Sequence, residues 1–132
     1  MKNYKELEVW QKAKSLAVEL YRATERFPRV EQFGLTTQTR RAGTSVAANI
    51  AEGWGRGSTR EYIQFLLIGR GSLMELETHL IVAQELGYLA RERLILFQEQ
   101  IESIGQMLNG LVRALRARQM AHEPRIPNPG PR

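Results

Sequence analysis

Cysteine and aspartate are both absent from this 132-residue chain. Without thiols there are no disulfides and no thiolate metal sites, a composition that suits a reducing compartment. All 14 acids are glutamates. Asp disfavours helix interiors and Glu tolerates them, so the bias is that of a helical chain. Proline is scarce where it would matter. Four of the five lie between Pro124 and Pro131, and Pro28 alone interrupts the rest, which can therefore hold long helices. No apolar run approaches the ~18 residues that a membrane-crossing helix needs. No apolar stretch follows the N-terminal lysines, so a secretory leader is not expected and the expected location is cytoplasmic.

Histidine is nearly missing too, and this bears on catalysis. A di-iron bundle needs a Glu-x-x-His pair on each of two helices. Here Glu75 and His79 are four apart, and the other histidine is His122. No metal site and no cofactor are expected. No Ser–His–acid spacing suggests a nucleophile, so the expectation is a protein that is not an enzyme, with no catalytic residue.

What is present is charge, unevenly placed, and strong helical periodicity. Formal charge is +5. Residues 1–112 carry 14 basic and 13 acidic side chains, whereas 113–132 carry five Arg and one Glu. A second basic excess lies at Arg40, Arg41, Arg56 and Arg60, opposed only by Glu52. Such patches attract polyanions.

Four segments repeat apolar residues at alternating steps of three and four. The spacing predicts a first helix over 6–27, with Trp10, Ala13, Ala17, Leu20, Thr24 and Phe27 as its seam. A second is predicted over about 35–53 on Leu35, Ala42, Val46 and Ile50. The third starts at the capping-box pattern Ser58-Thr-Arg-Glu61, continues through Leu66, Leu73, Leu76 and Leu80, and stops at Gly87. The fourth covers about 90–119 on Leu94, Phe97, Ile101, Ile104, Leu108, Leu111 and Leu115. The expected fold is all-α: an antiparallel up-down-up-down four-helix bundle over residues 1–120, with 121–132 as a Pro-rich disordered tail. Val9, Leu16, Ile63, Leu67, Met74, Ile81 and Ile95 lie off the main seams and are the candidate oligomer contacts.

The second helix carries Arg41, Ser45, Asn49 and Glu52 on one stripe. That stripe is either a ligand site or a paired network at a helix or subunit interface. Burial of such groups is costly unless they pair, which favours the network. Gly53, Gly55 and Gly57 follow a helix rather than a strand, and no Lys occurs after Lys14, so the turn lacks the features of a nucleotide-cradling loop. The helix start behind it, with Arg56 and Arg60, suits a phosphate of a larger polyanion. Candidate nucleic-acid contacts are Arg40, Trp54, Arg56, Arg60, Arg113, Arg116 and Arg118. Trp54 could stack on a base or anchor its turn on the bundle. Gly69, Gly71 and Ser72, in mid-helix, point to close helix packing rather than a hinge.

The blocks Y-K-E-L-E-V-W-Q-K-A (4–13), F-G-L-T-T-Q-T-R-R-A (33–42), S-V-A-A-N-I-A-E-G (45–53), G-S-L-M-E-L-E-T-H-L (71–80) and L-G-Y-L (86–89), in that order, carry a family resemblance. The sequence resembles the bacterial four-helix-bundle proteins encoded in 23S rRNA intervening sequences, over roughly residues 4–115. Gly69 departs from the pattern, which has Ala there. That family is similar in fold to the accessory variability determinant of diversity-generating retroelements, which works with a reverse transcriptase and nucleic acid. The resemblance implies a homopentameric barrel of bundles with a basic surface and no known enzymatic activity. The expected partners are further copies of the chain, RNA or DNA, and, in the alternative reading as an interaction scaffold, a protein such as a reverse transcriptase.

Overall fold

The computed structural model describes residues 2–122. Four helices follow in order: α1 (Glu8–Thr24), α2 (Leu35–Gly55), α3 (Thr59–Glu85) and α4 (Arg91–His122). Short 3-10 turns at Tyr4–Glu6 and Arg29–Glu31 precede α1 and α2, and no strand occurs among the described residues.

The helix ends follow from local chemistry. The Ser58 hydroxyl accepts from the Glu61 backbone N–H at 3.1 Å, satisfying one of the orphan donors of α3. Gly57 and Gly87 bracket that helix with φ of +81° and +82°, a region that side-chain-bearing residues avoid. After α3 the Tyr88 N–H reaches back to the Ala83 carbonyl at 2.9 Å, closing the helix in a Schellman turn. α1 stops at Thr24, earlier than the spacing predicts, and the Thr24 hydroxyl donates back to the Leu20 carbonyl at 2.7 Å. Phe27 still lies in the core, beyond the helix end. α4 runs to His122, past the expected domain limit at residue 120. The proline-rich segment 123–132, expected to be a disordered tail, falls outside the described residues.

Cross-helix bonds show the antiparallel order. Arg40 bonds to Thr24 and Tyr21 across α2 and α1. Ser45 meets Ser72 across α2 and α3. Arg70 meets Asn109, and Gln98 meets Glu77, across α3 and α4. Gln100 meets Glu19 across α4 and α1. The chain thus runs up, down, up and down around one apolar core. Leu16, Leu20, Ile50, Leu66, Leu73, Leu76, Leu80, Phe97, Ile104 and Leu108 are its fully buried large side chains.

Three of the expected oligomer contacts belong to that core instead. Val9, Leu16 and Ile63 are buried within the single chain. The reason is geometric: a helix in a four-helix bundle packs against two neighbours, so its apolar face is wider than one seam. α1 turns Val9, Ala13, Leu16 and Leu20 inward, leaving Trp10 half-buried and edge-on to Tyr4 at 5.3 Å. Leu67 is half-buried against the core, while Met74, Ile81 and Ile95 are exposed.

The helices do not approach one another equally. Along α2 and α3, small residues let backbones close in. A Cβ built on Gly53 would lie 2.8 Å from the Phe65 Cβ and 3.2 Å from the Tyr62 carbonyl oxygen. On the opposite side, α1 and α4 face each other with longer polar side chains and leave an open groove of about 660 Å³. Its lining includes Glu19, Leu96, Phe97, Gln100, Ser103 and Ile104.

Candidate nucleic-acid interface

The α2–α3 turn and the last turns of α4 lie at the same end of the bundle. Two bonds, Glu77–Gln98 at 3.2 Å and Arg70–Asn109 at 2.9 Å, set the antiparallel register of α3 and α4. Carried on, that register places residues 113–118 of α4 level with the first turns of α3, at the end of the bundle that holds Arg56 and Arg60. Arg56, Arg60, Arg113, Arg116 and Arg118 are all exposed. Residues 113–122 contain no acid, so this segment of α4 contributes three positive charges unopposed from within.

The turn that carries Arg56 is held from several sides. Its guanidinium pairs with Glu52 at 2.9 Å and lies over the Phe65 ring at 5.0 Å. Both partners of the ion pair are about half exposed, so the pair is weak and salt-sensitive. Trp54 is half-buried and meets Tyr62 edge-on at 6.1 Å, which anchors the end of α2 on the start of α3. The Tyr62 hydroxyl oxygen is enclosed and has no hydrogen-bond partner, and burial raises its pKa above the ordinary tyrosine value.

Arg40 does not join this group. It sits near the opposite end, where its Nε donates to the Thr24 hydroxyl at 2.8 Å and its Nη2 to the Tyr21 carbonyl at 3.2 Å. The guanidinium also covers the Tyr21 ring at 4.6 Å. A cation on the carbonyls of a helix C-terminus is favourable, so Arg40 is a strut between α1 and α2. Spacing within one helix could not reveal this, because its partners lie 16 and 19 residues away.

The four-residue polar stripe of α2 divides. Ser45 and Asn49 form a network, but its third member is Ser72 of α3. The two serine hydroxyls are 2.9 Å apart, and Asn49 Nδ2 donates to the Ser45 carbonyl at 2.7 Å and to its hydroxyl at 2.9 Å. Ser72 is buried and also donates to the Ile68 carbonyl at 3.3 Å. Arg41 and Glu52 stay on the surface, Glu52 paired with Arg56, so neither belongs to the network. The inner face of α2 accepts only short side chains where α3 approaches, which puts the longer Arg41 and Glu52 outside. Gly69 stands beside the network, 3.7 Å from the Asn49 Cβ when given a Cβ of its own.

No group of three or more potential metal-ligating side chains converges among the described residues. His79 is paired with Glu75 on its own helix at 3.4 Å. No helix among the described residues is long and apolar enough to cross a membrane.

Comparison with known proteins places this architecture. No curated protein matches the chain. A solved structure from Bacteroides thetaiotaomicron, described as a protein of unknown function from the S23 ribosomal protein family, shares the fold. It superposes with a TM-score of 0.73 at 24% identity, covering 80% of this chain and 95% of that one. The model of the 23S rRNA-intervening sequence proteins matches residues 5–110, a span that includes the Ser45–Asn49 block, the Ser58 cap and the Ser72 contact. With bundle, register and sequence in agreement over that span, the chain belongs to the 23S rRNA-intervening sequence protein family.

Proposed function

We propose that this chain is a non-enzymatic, self-assembling helical protein that binds RNA or DNA through the arginine-rich end of its bundle. What supports the reading is that Arg56, Arg60, Arg113, Arg116 and Arg118 are all exposed and lie at the same end of the bundle. Phosphate contacts by such side chains position a nucleic acid without reading its sequence. Binding would then weaken steeply with salt, because each neutralised phosphate releases counterions. Trp54 supports the turn and is not one of the contacts, and Arg40 is committed to the α1 end.

Fluorescence anisotropy with a labelled RNA hairpin and a DNA duplex, at 50 and 200 mM salt, tests this. Binding at the lower salt that falls at least tenfold at the higher is expected. Joint replacement of Arg113, Arg116 and Arg118 by Gln should remove most of it and leave melting unchanged. An absence of binding to both probes at the lower salt would overturn the proposal.

A protein-interaction scaffold is the second reading, favoured by the exposure of Met74, Ile81 and Ile95 on α3 and α4. Replacing these three by Ser would then abolish partner capture and spare nucleic-acid binding, whereas the arginine replacements would do the reverse.

A further inference from the structure

Among the described residues, Arg56 is the one exposed arginine at the nucleic-acid end whose guanidinium lies over an aromatic ring, that of Phe65 at 5.0 Å. We propose that Arg56 on Phe65 is a stacking platform for an unpaired base, so that this end takes single-stranded or looped nucleic acid in preference to duplex. The inference rests on the preceding reading and names the class of nucleic acid that the same site takes.

Both halves of the platform are rooted at Gly53. That residue has no side chain, so the α2 backbone closes on α3: a Cβ there would lie 2.8 Å from the Phe65 Cβ. This contact holds the base of the half-buried ring. On the other side of the turn, the Arg56 N–H donates to the Gly53 carbonyl at 3.3 Å, and Gly57, at φ +81°, redirects the chain immediately after it. The far end of the arginine is restrained as well. Its Nη2 donates to the Glu52 carboxylate, one helical turn earlier, at 2.9 Å. A ring below and a carboxylate at the edge narrow the orientations of the guanidinium before any ligand arrives. Less freedom is then lost on binding.

The geometry also selects what can bind. A guanidinium is a plane with N–H donors around its edge. Phe65 covers one face and Glu52 takes part of the edge, yet the side chain remains 47% exposed. The other face is the open one. It suits a flat π-system, which an arginine plane stacks against and a lysine ammonium does not. In a duplex the base faces are buried against one another. Such a ligand brings Arg56 a phosphate, which approaches the edge and competes with Glu52. An unpaired base can be splayed onto the face instead and leaves the ion pair in place. Arg60 and the arginines of α4 then hold the neighbouring phosphates, the combination of stacking and charge that suits single strands.

Fluorescence anisotropy at low salt tests this with an RNA hairpin, the same hairpin with an abasic loop, a blunt RNA duplex of its stem, a single strand of DNA and its duplex. The hairpin should bind roughly five- to a hundredfold more tightly than its abasic form, the range that one stacked base contributes. The abasic hairpin should match the blunt duplex. The DNA strand should exceed its duplex by a similar factor, since the base face is common to both sugars. Arg56→Lys keeps the charge and removes the plane, and should erase the loop preference while the salt dependence persists. Phe65→Leu, which removes the ring beneath, should reduce the preference in the same direction. Circular dichroism of both variants should be unchanged. Arg60→Lys should shift the hairpin and the duplex by one common factor.

Equal affinity for the intact and abasic hairpins would overturn the platform and leave phosphate binding standing. A loop preference that survives Arg56→Lys would overturn it too, as would a preference confined to RNA, which would show that the sugar is read. An absence of binding to every probe would overturn both the platform and the reading beneath it.

Discussion

The contact between α2 and α3 and the contact between α1 and α4 solve the same packing problem in opposite ways. The first brings backbones together on Gly53, Gly69, Ser45 and Ser72, with Asn49 closing a hydrogen-bond network in the seam. The second keeps its helices apart on Glu19 and Gln100 over an apolar floor. Small residues give tight, position-specific contact; long polar residues give a looser contact that leaves an accessible trough. The sensitivity of the fold to substitution should follow the same division.

The largest effect is expected in the shared core beneath the close seam. Leu66→Ala should cost about 2–5 kcal/mol, since the side chain is fully buried and the site cannot collapse against rigid neighbours. Urea unfolding measures this directly. Gly53→Ala should cost about 1–3 kcal/mol, because the new methyl meets the Phe65 Cβ and the Tyr62 backbone rather than a yielding side-chain tip. Ser72→Ala, which removes one hydroxyl of the network and leaves Ser45 bonded to Asn49, should cost about 1 kcal/mol. Gly69→Ala tests the comparison from the other direction. Its nearest contacts would be ordinary, at 3.6 and 3.7 Å, so relief from glycine's backbone freedom should raise stability by about 0.4–1 kcal/mol. Two glycine-to-alanine changes in one seam would then have opposite signs, and equal signs would break the account of close approach.

The looser seam should respond least. Gln100→Ala removes the bond to Glu19 at 2.6 Å, yet water can reach the groove and replace it. A loss below about 0.5 kcal/mol is expected. A loss comparable to that of Gly53→Ala would show that α1 and α4 depend on this bond and that the groove is not open in solution.

Much of the architecture was legible because it is local. Ser58 announces its cap, Gly57 and Gly87 mark the ends of α3, and the three-four spacing gives each helix its apolar side. What was not legible lies between helices. The seam drawn through Trp10 and Ala17 and the one through Val9 and Leu16 differ by a rotation of one residue, and spacing alone does not say which faces inward. Arg41 and Glu52 share a stripe with Ser45 and Asn49 but not their bonds, while Ser72, which does bond to Ser45, lies 27 residues on, where helical spacing cannot link it. Arg40 reads from its sequence as a phosphate contact. Only the nearness of Thr24 and Tyr21 reveals the strut. A Trp in a Gly-rich turn suits base stacking and anchoring equally, and the edge-on contact of Trp54 with Tyr62 supports anchoring.

The paired hydroxyls of Ser45 and Ser72 act as a vernier between two rods. Sliding α2 along α3 by a single turn would part the two hydroxyls and leave each with only the bond it makes on its own helix, so one offset of the rods is preferred. That offset is stored in their facing surfaces and not in the turn that joins them. A chain reopened at Gly57 and resealed elsewhere should therefore recover the same alignment without being told where to begin.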